Sequence, residues 1–240
     1  MLKTKKIKKG AKAKETAAIL TERSGWELRE AYKTIRTNLV FMLPEPSQKV
    51  IGITSALPHE GKTITSINLA ISLSGIDRKV VLLECDMRRP TISGRLNAGG
   101  KHGLSNFLAG QADIKQCMAK TKEGFDLIPA GTVPPDPTVL LQSYRMKILL
   151  EELRNAYDFI ILDFPPVDSV SDAVILSDDV DGYVIVIRHG QADTRAVRDM
   201  VDRMKLGQAQ ILGFIYNGTP AKNRGYYNRY GGYYGKYAYK

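Results

Sequence analysis

A chain of 240 residues can bury one full α/β core and still leave a tail of roughly 15–25 residues at each end. With 43% hydrophobic and 25% charged residues its middle reads as a globular domain, and no apolar run reaches the roughly 18–20 residues that span a bilayer. The net charge of +10 is uneven: residues 1–14 hold seven lysines and no acid, which argues against a secretory signal.

That arm suits an anionic membrane face, where each nearby basic residue contributes on the order of 1 kcal/mol. Nucleic acid could use the same charge, but no recognition module or basic-aromatic groove accompanies it, so no nucleic-acid partner is expected. Cys85 and Cys117 lack metal-ligand spacing and fit a reduced, cytoplasmic setting.

In chain order, residues 1–24 read as a basic tail and entry segment, 25–220 as one domain, and 221–240 as a second tail. Apolar residues at Leu28, Ala31, Ile35, Leu39 and Met42 recur at helical spacing, predicting a helix over 26–43 with Ser24 as N-cap and Pro44/Pro46 as the stop. A β-branched strand at 50–54 leads through a loop, 55–62, into a helix ending near 74. A second strand, 79–85, is followed by an irregular stretch. A helix over 103–120, a strand over 125–128 and a helix over 137–155 come next. Strands at 158–162, 183–188 and 211–216, with a helix over 194–205, complete the domain. Strands apolar on both faces, alternating with helices, predict an α/β fold with a mostly parallel sheet covered by helices on both sides. From Arg224 onward no helix or strand period survives, and the segment holds Tyr226, Tyr227, Tyr230, Tyr233, Tyr234, Tyr237 and Tyr239 among glycines and basic residues; it is expected to be flexible.

Three motifs fall at predicted strand ends. Ala56–Thr63 matches the P-loop form G-x-x-x-x-G-K-[ST], with Ala56 in place of the first glycine. In that form, backbone N–H groups at a strand-to-helix turn cradle phosphate oxygens and the helix N-terminus adds its positive field. Pro58, His59, Glu60, Gly61, Lys62, Thr63 and Ile64 are the expected nucleotide-contacting residues, with Lys62 on the β- and γ-phosphates and the Thr63 hydroxyl on Mg²⁺. The second strand ends Glu84-Cys85-Asp86-Met87-Arg88, and the strand at 158–162 ends in Asp163, followed by Phe164-Pro165-Pro166. Carboxylates beside a P-loop can hold Mg²⁺ or accept a proton. Ligands of such sheets sit beyond the strands' carboxyl ends.

The order of P-loop, strand ending Glu-x-Asp-x-Arg and strand ending Asp-x-Pro-Pro resembles the bacterial tyrosine kinases of capsular and exopolysaccharide biosynthesis, over nearly the whole chain. The resemblance implies a P-loop NTPase fold, ATP and Mg²⁺ as cofactors, and protein-tyrosine phosphorylation that includes the chain's own tail tyrosines. It implies Mg²⁺ on Thr63, Asp86 and Asp163, a proton-accepting role for Glu84, charge stabilisation or acid pairing for Arg88, and an adenine contact for Asn217. Glu30, Lys33 and Arg36 resemble the family's E-x-x-R-x-x-R helix motif, implying a ring-like homo-oligomer. A separate membrane activator of the polysaccharide chain-length-regulator type, recruitment to the inner face of the cell membrane and a cognate tyrosine phosphatase are further implications. The chain departs from the family pattern where Glu84 replaces Asp, Lys33 replaces Arg and Phe164 replaces a small polar residue. Two alternatives share the P-loop: a ParA/MinD-like ATPase switch, whose signature lysine is replaced by Leu57, and a weakly active nucleotide-binding regulatory subunit, which Glu84 and Phe164 would favour.

Overall fold

The computed structural model describes residues 19–43, 49–168 and 172–219. Seven strands, β1 (Lys49–Ser55), β2 (Val80–Glu84), β3 (Ala119–Lys120), β4 (Asp126–Ile128), β5 (Phe159–Asp163), β6 (Gly182–Arg188) and β7 (Ile211–Asn217), form one sheet of order β3-β4-β2-β5-β1-β6-β7. Every neighbouring pair is parallel except β3 against β4. The parallel arrangement puts the carboxyl ends of six strands on one rim, as expected of an α/β sheet.

Around the sheet lie α1 (Trp26–Met42), α2 (Lys62–Ser74), α3 (Ile92–Leu96), α4 (Leu104–Leu108), α5 (Ile114–Cys117), α6 (Pro137–Leu141), α7 (Tyr144–Ala156), α8 (Asp172–Ile175) and α9 (Thr194–Leu206). Strand side chains alternate between two cores, because successive residues of a strand point to opposite faces. Val81, Leu83, Ile160 and Leu162 pack with Leu149 and Leu153 of α7 and Met200 and Met204 of α9. Leu82, Ile161, Ile51 and Ile53 pack on the other face with Ile67, Leu73 and, from α1, Leu39.

Three local expectations are corrected. The helix expected over 103–120 breaks into α4, α5 and the edge strand β3, because Gly110 turns left-handed at φ +74° and extended Asp113 caps a new helix. The helix expected over 137–155 divides at Ser143, whose extended ψ of 151° separates α6 from α7. α1 is capped by Gly25, not Ser24, whose hydroxyl instead accepts the Thr21 N–H at 2.9 Å. The proposed stop at Pro44/Pro46 and the seven tail tyrosines lie outside the described residues. So does the lysine arm at 1–14, whereas Leu20 is tied to α2 by its N–H donating to Asn68 Oδ1 at 2.7 Å.

Phe164 lies fully buried beside the site, its ring 5.9 Å from that of Tyr183 at 41°. The bulk fits because Gly52 has no side chain: a Cβ there would stand 2.3 Å from Tyr183 Cε1 and 3.2 Å from Phe164 Cε2. Gly52→Val is expected to destabilise the fold by about 1–3 kcal/mol through overpacking. Urea unfolding should show a lower midpoint at unchanged slope; an unchanged midpoint would remove Gly52 as the reason Phe164 is accommodated.

Candidate active site

The register of the central strands builds the site. Asp163 at the end of β5 pairs with Ile53 of β1 on one side and Glu84 of β2 on the other. Its carbonyl accepts the N–H groups of both Cys85 and Asp86, each at 3.0 Å, so β2's exit is anchored to β5. The P-loop leaves β1 and enters α2 through Gly61, at φ +97°, where the backbone is left-handed and suits only glycine readily. A Cβ at Gly61 would also lie 2.3 Å from Asn217 Nδ2.

Lys62, Thr63, Asp86 and Asp163 converge. Lys62 Nζ donates to Asp86 Oδ2 at 2.9 Å and stands 3.7 Å from Asp163 Oδ2. Thr63 donates its hydroxyl proton to Asp163 Oδ2 at 2.8 Å, and Ser66 donates to Asp163 Oδ1 at 2.9 Å. Burial alone would pull the Lys62 ammonium down, but Asp163 and Asp86 outweigh it and hold its pKa above the ordinary value. Burial pushes the Asp163 carboxyl up, against the opposing effects of Lys62, Thr63 and Ser66. Two hydroxyl donors and the ammonium 3.7 Å away oppose the burial cost that raises the Asp163 carboxyl.

Glu84 does not join this cluster. Its Oε1 accepts the N–H groups of Thr91 at 2.5 Å and Ile92 at 2.6 Å, and its Oε2 accepts that of Ala130 at 3.1 Å. Burial raises its pKa, and those amides oppose the rise. Glu84 therefore ties the segment after β2 to the segment after β4. Arg88 chooses acid pairing: it donates to Asp172 Oδ2 at 2.9 Å and to the Thr138 hydroxyl at 3.1 Å, while that hydroxyl donates to Asp172 Oδ1 at 2.9 Å.

The other side of the loop is held from β6 and β7. Asn217 Nδ2 donates to the Glu60 carbonyl at 3.0 Å, and Gln191 Nε2 donates to the Pro58 carbonyl. Arg188 Nη1 reaches the His59 carbonyl at 3.5 Å. The Glu60 carboxylate accepts the N–H groups of Leu57 at 2.8 Å and Arg188 at 3.2 Å. Ile64 is buried in the first turn of α2. The α1 residues lie apart from this cluster: Lys33 donates to Glu30 at 2.7 Å within the helix, and Arg36 donates to the Ser72 carbonyl at 2.7 Å near the end of α2.

Ser66, Asp172, Thr138, Gln191 and Arg188 were not candidates from sequence. Ser66 carried a usable signal, since it lies four residues after Lys62 and so on the same helix face. The rest come from chain distances of dozens of residues or more, where spacing says nothing.

Thr63, Asp86 and Asp163 offer hydroxyl and carboxylate oxygens, the ligand type Mg²⁺ takes. Among the described residues no group of three or more His, Cys, Asp or Glu forms a cage. Mg²⁺ is typically held by one or two carboxylates, completed by phosphate oxygens and water. A strand-to-helix loop with a left-handed glycine, a lysine between two acids and a hydroxyl on the helix's first turn together define a P-loop nucleotide-binding protein.

Known proteins narrow the class. A family described as an AAA domain matches residues 48–212. Tyrosine-protein kinase YwqD of Bacillus subtilis is 35% identical over 203 residues, covering 84% of this chain and 86% of YwqD. Tyrosine-protein kinase CpsD of Streptococcus agalactiae is 37% identical over 199 residues, covering 80% and 86%. The kinase domain of the Escherichia coli tyrosine kinase ETK superposes with a TM-score of 0.77 at 35% identity, covering 80% of this chain and 75% of that one. The chain belongs to the bacterial tyrosine-protein kinases.

Glu84→Gln presents one acceptor oxygen and an NH₂ group to three amide donors, leaving at least one amide unsatisfied. It is expected to destabilise the fold by about 1–3 kcal/mol, read by urea unfolding. Unaltered stability with lost turnover would instead make Glu84 a proton acceptor.

Proposed function

We propose that this chain transfers the γ-phosphoryl group of ATP to protein tyrosines, its own Tyr226, Tyr227, Tyr230, Tyr233, Tyr234, Tyr237 and Tyr239 among them. The observation that carries the reading is the convergence of Lys62, Thr63, Asp86 and Asp163 on the rim where the P-loop opens. In the reaction the bond from the γ-phosphorus to the ADP oxygen breaks while one forms to the phenol oxygen, and the phenol loses its proton. Lys62 and the loop amides hold the phosphates, and catalysis is mainly positioning and charge stabilisation. Thr63 and Asp163 would hold Mg²⁺ with Asp86 beside it, the ion supplying neutralisation of phosphate charge.

The phenol's ordinary pKa near 10 calls for an acceptor at neutral pH. Asp86 is the better candidate than Glu84, because all of Glu84's described partners are loop amides. Asp86 is also the more open of the two acids facing Lys62, its side chain 10% exposed against 1% for Asp163. Glu84 then acts at one remove, fixing the segment that carries Asp86. Arg88, paired with Asp172, stiffens the same segment.

The resemblance and the membership support a place in capsular or extracellular polysaccharide synthesis or export. They support a membrane activator of the chain-length-regulator type, a ring-like homo-oligomer through Glu30, Lys33 and Arg36, and a counteracting tyrosine phosphatase. No described helix is long and apolar enough to cross a membrane. The Lys-rich arm and the activator together support recruitment to the inner face of the membrane.

Purified chain with Mg-ATP should acquire phosphotyrosine, and Lys62→Met should lower labelling about 100-fold or more without unfolding the domain. Absence of label on the parent chain with ATP bound would sink the kinase reading. Asn217 separates two roles. If it acts by holding the loop through the Glu60 carbonyl, Asn217→Ala weakens Mg-ATP and inorganic Mg-triphosphate alike. If it contacts adenine, only Mg-ATP weakens. Calorimetric titration of both ligands is expected to show the first pattern.

A further inference from the structure

The chain holds twelve tyrosines, seven in the tail and five in the folded domain: Tyr32, Tyr144, Tyr157, Tyr183 and Tyr216. A phenol on a folded surface can accept a phosphoryl group only if its ring reaches another molecule's active site with the hydroxyl free to attack. The structure sorts the five on both counts. Tyr32 is 7% exposed, and its hydroxyl is engaged by Asn68 and Thr65. Tyr183 is fully buried and donates to the Ala173 carbonyl at 2.5 Å. Tyr157 is half-buried and donates to Asp126 Oδ2 at 2.6 Å. Burial and the Asp126 carboxylate both push the Tyr157 phenol up, and burial does the same to Tyr183, so both hold their protons. Tyr216 is exposed, but its hydroxyl is shared with His189 Nδ1 at 2.7 Å, and the two rings meet edge to face at 83°.

Tyr144 differs on both counts. It is 76% exposed, the most open of the five, and its hydroxyl has no partner among the described residues. The reason is where it sits. α6 ends at Leu141, and Ser143 takes an extended ψ of 151° before α7 starts. The chain makes a corner there, with Gln142, Tyr144 and Arg145 exposed on it. α7 buries Met146, Leu149, Leu150 and Leu153. Tyr144 precedes Met146 by two residues, about 200° around a helix, and so stands on the opposite face.

The surroundings of Tyr144 suit the reaction. Arg145 and Lys147 flank it, much as Arg229 precedes Tyr230 and Lys236 precedes Tyr237 in the tail. Basic neighbours match a site that gathers the negative charge of a triphosphate. Arg145 is also held in place, its guanidinium 4.7 Å from the Phe107 ring centre and its Nε donating to the Phe107 carbonyl at 2.9 Å, so the corner is presented in one shape. The product is tolerated as well. A phosphate adds about −1.5 to −2 charges, and the first turn of a helix favours negative charge. No acid lies between Asp136 and Glu151 along the chain to oppose it.

We infer that Tyr144 is a phosphoryl acceptor on the folded domain, modified by the active site of a second copy of the chain. The inference rests on the proposal that the chain is a protein-tyrosine kinase, and it adds an acceptor of a different kind: a fixed surface residue instead of a tail segment. α7 is held to the core through its four buried side chains, and no described bond joins Tyr144 to Lys62, Thr63, Asp86 or Asp163, so the donor site is another copy's. In the transfer, the bond from the γ-phosphorus to the ADP oxygen breaks while one forms to the Tyr144 phenol oxygen. The phenol proton passes to Asp86 of the acting copy.

The test pairs two versions of the full chain. The acceptor carries Lys62→Met, which removes its own transfer, and has its seven tail tyrosines changed to Phe; heavy-isotope labelling distinguishes it by mass. The donor is the parent chain with Mg-ATP. Phosphopeptide mass spectrometry should place phosphate on residue 144 of the acceptor at least tenfold above Tyr32, Tyr157, Tyr183 and Tyr216. Tyr144→Phe in the acceptor should lower its total label at least fivefold at an unchanged thermal midpoint, whereas Tyr216→Phe should leave the label as it was. A labelled donor tail beside an unlabelled residue 144 would overturn the inference and leave the kinase reading standing. Label spread evenly over the five domain tyrosines, or label that survives Tyr144→Phe, would overturn it in the same way. A donor that labels neither itself nor the acceptor would overturn both. Phosphate on residue 144 with none on the donor's tail would support the inference and overturn only the tail as a target.

Discussion

A carboxylate that is 1% exposed must be surrounded by donors, and meeting that need for Asp163 organises the centre of the molecule. Its two oxygens take the hydroxyl protons of Thr63 and Ser66, and Lys62 stands beside them. Its backbone carbonyl takes two amides from the end of β2. One residue therefore ties together the first turn of α2, the P-loop lysine and the exit of the neighbouring strand. An unpaired buried acid would cost several kcal/mol, so these parts hold each other in place before any ligand arrives.

Two side chains beside the cluster act by supporting it. Glu84 joins three amides on two separate segments. Phe164 packs against Tyr183 over the space that Gly52 leaves open. Neither side chain hydrogen-bonds to the Lys62–Asp86–Asp163 cluster: one fixes the loop after β2, the other fills the layer beneath the end of β5.

The parallel sheet has a further consequence for how function is distributed. Six strands end on one rim, so the P-loop, both acids, Arg88 and Asn217 all leave the sheet on the same side. Strand direction puts the reaction centre and its stiffening ion pair on that rim, and strand order sets them side by side, although they come from residues 56 to 217 of the chain. The helix that carries Glu30, Lys33 and Arg36 lies elsewhere, against α2, and its charged groups are engaged within the chain through Glu30 and Ser72.

Sequence alone determined the strand–helix alternation, the parallel sheet and the P-loop, because each is encoded in spacing of a few residues: apolar runs, a G-K-T triplet, acids at strand ends. It also pointed to Lys62, Thr63, Asp86 and Asp163. It misjudged the 103–120 and 137–155 helices, where the apolar period continues across Gly110 and Ser143 while the backbone does not. Tertiary structure alone decided that Glu84 faces amides and not the cluster, that Arg88 pairs with Asp172, and that Asn217 and Gln191 hold the loop's carbonyls. The physical reason is the same in each case. A side chain's partner is chosen by which strand ends the sheet order places side by side, and that order, β2 next to β5 and β7 beside β6, is a property of the folded sheet that no local run of residues contains.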